Sequence, residues 1–537
     1  MVNRRDFIKT VSAAGLAGLT KPIRALASRH QDSSGFFGVH PFIEAHPNAV
    51  FIIKTNVDVK TNADAKKQVG LDFARTVIVP KTEEDGGIPL TNKIAIKPNL
   101  TCSSTSDTNY TLEYGMGIVT DPYFVRGVIE GMKELGLSGD QFYMREANCP
   151  GDFTARGYSR LAVETGASIR GGVQAGFSDL VNWVDVPEGM AFRKIPYIWP
   201  INTSDSWLLN ISKFKAHGMG LTLAAKNHQG SVALGYCGFC GAMSGLLSLA
   251  YKNPNAQADI TASFERHLAD GIPRWDKPGN SWDSGIGMEV WAHRTIDNHS
   301  VTKTGLCIVE GIYGRDGNGF LLGPNPEGNV DNYNGEAWDY MTNIIIFGKN
   351  AFHIDSVGHW LGCHEPGDMG YLHIAIERGL SSILDPHRVP VYEWKNGEAV
   401  LTPLDSFERT PLKTYYLQRN YNGQTETKYH LVNEPYDYGT VNAVETPGKP
   451  DAFVLGQNYP NPFNPYTSIE YTLPSNGYVR LEIFNAAGQL VDAPVNGYRV
   501  AGSHMAVWNT TNHPSGTYFY RLRFGGFSET KKMTLLK

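Results

Sequence analysis

The sequence predicts an α/β protein with a mainly parallel sheet and flanking helices, followed by a C-terminal immunoglobulin-like antiparallel β-sandwich. Three observations predict it. From about residue 35 to about residue 389, short β-rich apolar runs alternate with amphipathic helical patterns. Near residue 440 the periodicity stops in "VNAVETPGKPDAF", a proline-containing linker signal. Beyond it come "SIEYTL", "VRLEIFN", "AVWN", "GTYFYRLRF" and "TKKMTLL", short alternating strands at the spacing of a small sandwich. The 537 residues exceed one ordinary domain. We divide them into a leader at 1–27, an α/β domain at 35–438, a linker at 439–451 and a sandwich at 452–537.

The leader comes first in the chain. "NRRDFIKTVSAAGLAGLT" sets Arg4 and Arg5 before a mild apolar stretch, and "ALAS" offers a small-residue cleavage site after Ala27. With Phe7 and Lys9 in place, it resembles a twin-arginine export signal, which implies a twin-arginine translocase as partner; an ordinary secretory signal is the alternative. The net charge of -5 supplies no basic field for nucleic acid. No apolar run reaches the roughly 18–20 residues that span a bilayer.

The α/β domain shows its repeating unit next. "KIAIKPNL" (93–100) reads as a strand. "TDPYFVRGVIEGMKELG" (120–136) reads as a helix with Thr120 as N-cap, Pro122 in the first turn and Gly136 at the end. "QFYMREAN" (141–148) reads as the following strand. This βαβ spacing makes the two strands parallel, with a right-handed crossover. If "WLLNISKF" (207–214) and "GLCIVEGI" (305–312) run the same way, the loops leaving all four strands meet at one ligand-binding edge.

At that edge stands "KFKAHGMGLTLAAKNHQG" (213–230). In an extended chain Lys213, Lys215 and His217 share a face. Gly218 and Gly220 permit a turn, and "LTLAAKN" suits a short helix whose first amides would face an anion. Lys226 is the candidate acid/base or covalent lysine, because desolvation readily lowers a lysine pKa. Lys215 and His217 are the other catalytic candidates. Lys97, Asn99, Lys213 and Asn227 are candidate substrate-binding residues. The competing reading is a solvated edge strand whose lysines discourage aggregation. Glu310, Arg315 and Asp316 in "VEGIYGRDGNG" follow a predicted strand; they are either ligand groups at the same edge or turn chemistry. Neither a G-x-S-x-G elbow nor a dinucleotide fingerprint occurs.

Of six cysteines, Cys307 lies in an apolar run and reads as a buried small hydrophobe. Cys102, Cys149, Cys237, Cys240 and Cys363 fall in loops or element ends, and Asp355, His359 and Cys363 make one helical stripe. Three readings stay open: disulfides in an oxidising compartment, a metal site such as zinc or an iron–sulfur cluster on these five cysteines, or free redox thiols.

Two resemblances complete the reading. "FVLGQNYPNPFNPYTSIEYTLP" (453–474), "VRLEIFNAAGQLV", "GTYFYRLRFGG" and the terminal "KKMTLLK" resemble a type IX secretion system type A sorting domain. That implies recognition by the type IX secretion machinery and a cell-surface or extracellular location. Asn458, Pro460, Asn461, Pro462, Phe463, Asn464 and Pro465 would then be recognition or turn residues. "IKPNL", "VTDPYFVRGVIEGMKELG", "LLNISKFKAHGMGLTLAAKNHQG" and "AFHIDSVGHWLGCHEPGDMGYLHIAIERGL" resemble the family known as domain of unknown function 362. Some members carry a ferredoxin-like module, whose cysteine spacing this chain lacks. Two function classes follow: an exported enzyme acting on a small anionic substrate, or a non-catalytic anion-binding surface protein with structural disulfides.

Overall fold

The computed structural model describes residues 35–101, 107, 109–147, 150–217, 220–237, 242–272, 285–325, 335–415, 419–421, 424–426, 429–430, 436–438, 453–458, 461–473, 477–499, 502–510, 513–524 and 527–537. The leader and the 439–451 linker therefore lie outside the described residues. The chain forms two compact units, residues 1–436 and 437–537.

The first unit is built on a ten-stranded sheet. Its strands are β1 (Val50–Lys54), β2 (Lys93–Pro98), β3 (Phe142–Arg145), β4 (Ser168–Arg170), β5 (Ser206–His217), β6 (Gly220–Thr222), β7 (Thr304–Arg315), β8 (Asp339–Gly348), β9 (Val391–Lys395) and β10 (Glu398–Leu401). In space the order is β10-β9-β1-β8-β7-β5-β2-β3-β4, with β6 folded back on β5. β7, β5, β2, β3 and β4 are mutually parallel. The strands of 207–214 and 305–312 thus do run with those of 93–98 and 142–145, so their C-terminal ends share one rim. The sheet is mixed overall, because β8 runs antiparallel to both β7 and β1.

Strand periodicity explains why both faces are covered. Ile94 and Ile96 of β2 enter one apolar core while Ala95 enters the other. The first core is closed by α1 (Ala63–Val77) and α2 (Pro122–Lys133), which bring Phe73, Val77, Phe124 and Val128. The second includes Val290 of α5 (Gly285–Val301). Between these lie α3 (Tyr158–Thr165) and the single turn α4 (Ala224–Asn227); α6 (Ala351–Leu361) and α7 (Gly370–Glu377) follow.

The helix predicted at 120–136 forms, but Asp121, not Thr120, caps it: its Oδ1 accepts from the amides of Tyr123 (2.9 Å) and Phe124 (3.3 Å). The Thr120 hydroxyl instead serves the sheet, donating to the Ile211 carbonyl and accepting from the Asn99 amide. Glycine lets α1 and α2 approach backbone to backbone. A Cβ at Gly127 would sit 2.0 Å from the Lys67 carbonyl oxygen, and one at Gly70 2.0 Å from that of Phe124. No side chain can move to relieve either contact. Gly127→Ala is therefore expected to lower the unfolding free energy by about 3 kcal/mol, the upper end of overpacking costs, read as a lower urea midpoint for the α/β unit.

The second unit is a β-sandwich. A three-stranded sheet of β11 (Val454–Leu455), β12 (Tyr466–Leu473) and β15 (Gly502–Asn509) is antiparallel throughout. So is a four-stranded sheet of β13 (Gly477–Asn485), β14 (Leu490–Arg499), β16 (Gly516–Phe524) and β17 (Phe527–Leu535). They enclose one core containing Ile469, Leu481, Trp508, Tyr520 and Leu535. Asn458 is buried and donates from Nδ2 to the Thr467 hydroxyl at 2.9 Å. Asn461 Oδ1 accepts from the Thr534 amide at 2.9 Å, and Phe463 enters the core. These motif residues hold the leading segment against the sandwich; Pro460 lies outside the described residues.

Candidate functional site

Each parallel strand delivers a charged group to the rim, and most of these charges are compensated inside the fold. Lys97, at the end of β2, ion-pairs with Glu146 at 2.8 Å. Its ammonium also donates to the carbonyl of Pro98 and to Asn227 Oδ1. Burial lowers the Lys97 titration and raises that of Glu146, and each ion partly offsets the shift of the other. Asn227 ties three elements together, donating to the Lys97 carbonyl and to Asn210 Oδ1 while accepting from Lys97 and Asn99. Lys97 and Asn227 are thus framework residues beneath the rim.

Lys213 is likewise consumed internally. Fully buried, it meets both Glu310 carboxylate oxygens at 3.0 and 2.8 Å, and its ammonium lies 3.4 Å from the Tyr313 ring centroid. Glu310 accepts the amides of Asp121 and Ile312. Asp121 in turn pairs with buried Lys66 at 2.6 Å and accepts the Tyr313 hydroxyl. This network corrects two expectations. Lys213 is not at the surface for a substrate: it is 0% exposed, and its charge is met by Glu310. Glu310 does not follow a strand but lies within β7. Asp316 is buried and accepts from the Trp338 amide, Asn325 and Tyr340. Arg315 pairs with Asp339 at 2.7 Å.

Lys215 differs. It is 0% exposed, and among the described residues its ammonium donates to two backbone carbonyls, Ile118 (2.5 Å) and Gly319 (2.9 Å). Burial drives its titration well below the ordinary lysine range, and the neighbouring cations Lys226, Arg315, Arg156 and Lys213 push it further down. Opposite it in the β5–β6 hairpin stands Thr222, whose buried hydroxyl has no hydrogen-bond partner among the described residues. The same holds for buried Asn99 Oδ1. His217, one turn of the pleat further, has its imidazole titration lowered by burial and by Lys226 and Lys215. Gly319 packs so close that a Cβ there would lie 2.7 Å from His217 Cδ2. The structure thus brings Lys215 near His217, Lys226 and Arg156, the last of which the sequence did not single out, while Asn99 donates to Asn227. Glu146 and Asp121 were also missed; their only signal was a carboxylate beside an apolar strand or helix.

The expected anion site at the start of "LTLAAKN" is corrected. The Asp355 carboxylate already accepts the amides of Ala224 and Ala225. The Asp355–His359–Cys363 stripe is broken too. Asp355 is committed to α4, the His359 ring faces the carbonyl of its own Asp355 at 2.8 Å, and Cys363 lies past the helix end at φ +64°. Cys307 is buried as expected, its thiol pushed up to about 12 by burial. Cys102, Cys149 and Cys240 lie outside the described residues. Among those described, Cys307 and Cys363 are free thiols, and no group of three His, Cys, Asp or Glu side chains suits a metal ion. Burial raises the Cys363 thiol, which disfavours the thiolate a metal needs.

A parallel-strand α/β unit with cations gathered at the strand C-termini, together with a separate antiparallel sandwich, defines the class: an α/β domain carrying an appended all-β module. Residues 94–360 match the family model described as a domain of unknown function (DUF362), and residues 457–535 match the secretion system C-terminal sorting domain. The chain carries both domains, and its sorting domain directs it through the type IX secretion machinery to the cell surface or extracellular space. No curated protein matches the chain. Among solved structures it matches PorZ, an essential bacterial surface component of the type-IX secretion system of human oral-microbiomic Porphyromonas gingivalis. That match has 16% identity and a TM-score of 0.12, over 16% of this chain and 12% of that one. Among the described residues no helix is long and apolar enough to cross a membrane.

Proposed function

We propose that this exported protein binds a small carboxylate or phosphate at the rim beside Lys215 and acts on it as an enzyme. The observation that carries the reading is the environment of Lys215: a buried amine among cations, with no carboxylate among its described partners. A bound anion would offset that repulsion, and the Thr222 hydroxyl would supply a neutral donor. Lys226 would steer the anion in. With its titration depressed, the Lys215 amine is suited to take up a proton from the ligand, and the neutral His217 imidazole to pass it on.

The test is calorimetric titration of the full chain with inorganic phosphate, oxalate and citrate. Lys215→Met is expected to weaken binding by about 10- to 100-fold, the worth of one charge-assisted hydrogen bond. Because it removes a buried amine whose charged form burial and the neighbouring cations disfavour, the variant is also expected to unfold at no lower a urea concentration. Equal affinity in both proteins, or no binding of any of the three anions, would remove the site. Anion affinity is further expected to fall as pH rises through the Lys215 titration, since only the protonated amine is a cation. Turnover of a bound anion, lost in Lys215→Met, separates an enzyme from a binding protein.

A further inference from the structure

We infer that Asp355 is a positioning residue for this rim: from α6 its carboxylate holds the first amides of α4 and so sets where Lys226 and Asn227 stand. This rests on the anion-binding reading above. A four-residue turn cannot hold itself together in water, and α4 is clamped at both ends. On the amide side, Asp355 Oδ1 accepts from Ala224 (2.8 Å) and Ala225 (3.3 Å), and Oδ2 accepts from Ala225 (3.2 Å) and the Tyr371 hydroxyl (2.8 Å). On the carbonyl side, Asn210 donates to Ala224 and the His299 ring meets Ala225. Lys226 and Asn227 are the next two residues of the same turn.

The clamp is poised to titrate. Buried without a charged group among the main influences on it, the Asp355 carboxyl is pushed up to about 7, with Tyr371 and the two α4 amides holding it from rising further. The groups around it are the Tyr371 hydroxyl from α7, the Cys307 thiol from β7, and His359 of its own helix on its carbonyl oxygen. Lys349, before α6, acts on the same Cys307 thiol, and His299 of α5 sits behind Ala225. The ionised form accepts from both amides and from Tyr371. The protonated form must turn one oxygen into a donor, which conflicts with the Ala225 amide. Acidification through about pH 7 therefore loosens α4 and weakens anion binding. Lys215 and His217 act with the opposite sign, since proton uptake makes them better anion partners, so the diagnostic is a difference between variants.

Phosphate affinity of the full chain is measured calorimetrically from pH 5.5 to 8.5 in wild type, Asp355→Asn and Tyr371→Phe. The weakening caused by Asp355→Asn is expected to grow from about onefold at the acid end to about tenfold at the alkaline end. Tyr371→Phe, which removes a bond favouring the ionised carboxylate, is expected to move that midpoint upward. A weakening by Asp355→Asn that is the same at every pH would mean a merely structural role and would overturn the inference. If wild type binds no phosphate, the anion site itself fails, and amide hydrogen exchange of residues 220–230 decides the clamp alone. Exchange accelerated about tenfold in Asp355→Asn at pH 8 but not at pH 5.5 supports it; unchanged exchange sinks it.

Discussion

Glu310→Gln is expected to cost about 3–5 kcal/mol of unfolding free energy, the range for stripping one partner from a buried ion pair. Lys213 and Glu310 are both fully buried, and the pair is held by two contacts. Burial pushes Glu310 up and Lys213 down, and each ion offsets part of the shift of the other. The Asp121 and Ile312 amides meet different Glu310 oxygens, so the single amide oxygen of glutamine serves only one of them, and the Lys213 ammonium is left against the Tyr313 ring without its carboxylate. Urea unfolding followed by tryptophan fluorescence reads the loss. Lys213→Met combined with Glu310→Gln is expected to recover more than half of it, because the stranded charge is gone. A single variant within 1 kcal/mol of wild type would mean that the pair is not the charge anchor described above.

Gly230→Ala is expected to be nearly as damaging, through geometry. A Cβ there would lie 2.1 Å from Glu146 Oε1 and 2.5 Å from Lys97 Cε. Both side chains are buried and hydrogen-bonded to the backbone of the β2 rim, so neither can swing away without leaving its partner. The expected cost is about 3 kcal/mol, with at least a tenfold loss of anion affinity, since Lys97 and Asn227 brace the turn that carries Lys226. Thermal unfolding and phosphate titration on the same preparation check both. A variant that keeps both stability and affinity would show that the Lys97–Glu146 contact is not what fixes the rim.

Much of the fold was legible in the chain, because continuous apolar strands and a proline-started helix leave few alternatives to a βαβ unit. The direction of 207–214 and 305–312, an assumption at the level of sequence, is parallel in the structure. The antiparallel β8 was not legible: its apolar run "NIIIF" reads the same in either direction. The partners of the candidate residues were not legible. Lysines 97, 213 and 215 alternate with apolar neighbours in much the same way, yet two have a glutamate within 3 Å and one has carbonyls.

Local pattern determined which segments are strands and helices, where the chain changes from α/β to all-β, and which cations lie near the strand ends. Those follow from period, glycine, proline and charge, all carried by neighbours in sequence. Only the tertiary structure decided which lysine is left among other cations and that Asp355, 131 residues from Ala224, occupies the amides a ligand was expected to fill. Compensation of a buried charge depends on which distant carboxylate shares its low-dielectric surroundings, and a linear sequence does not encode that proximity at short range.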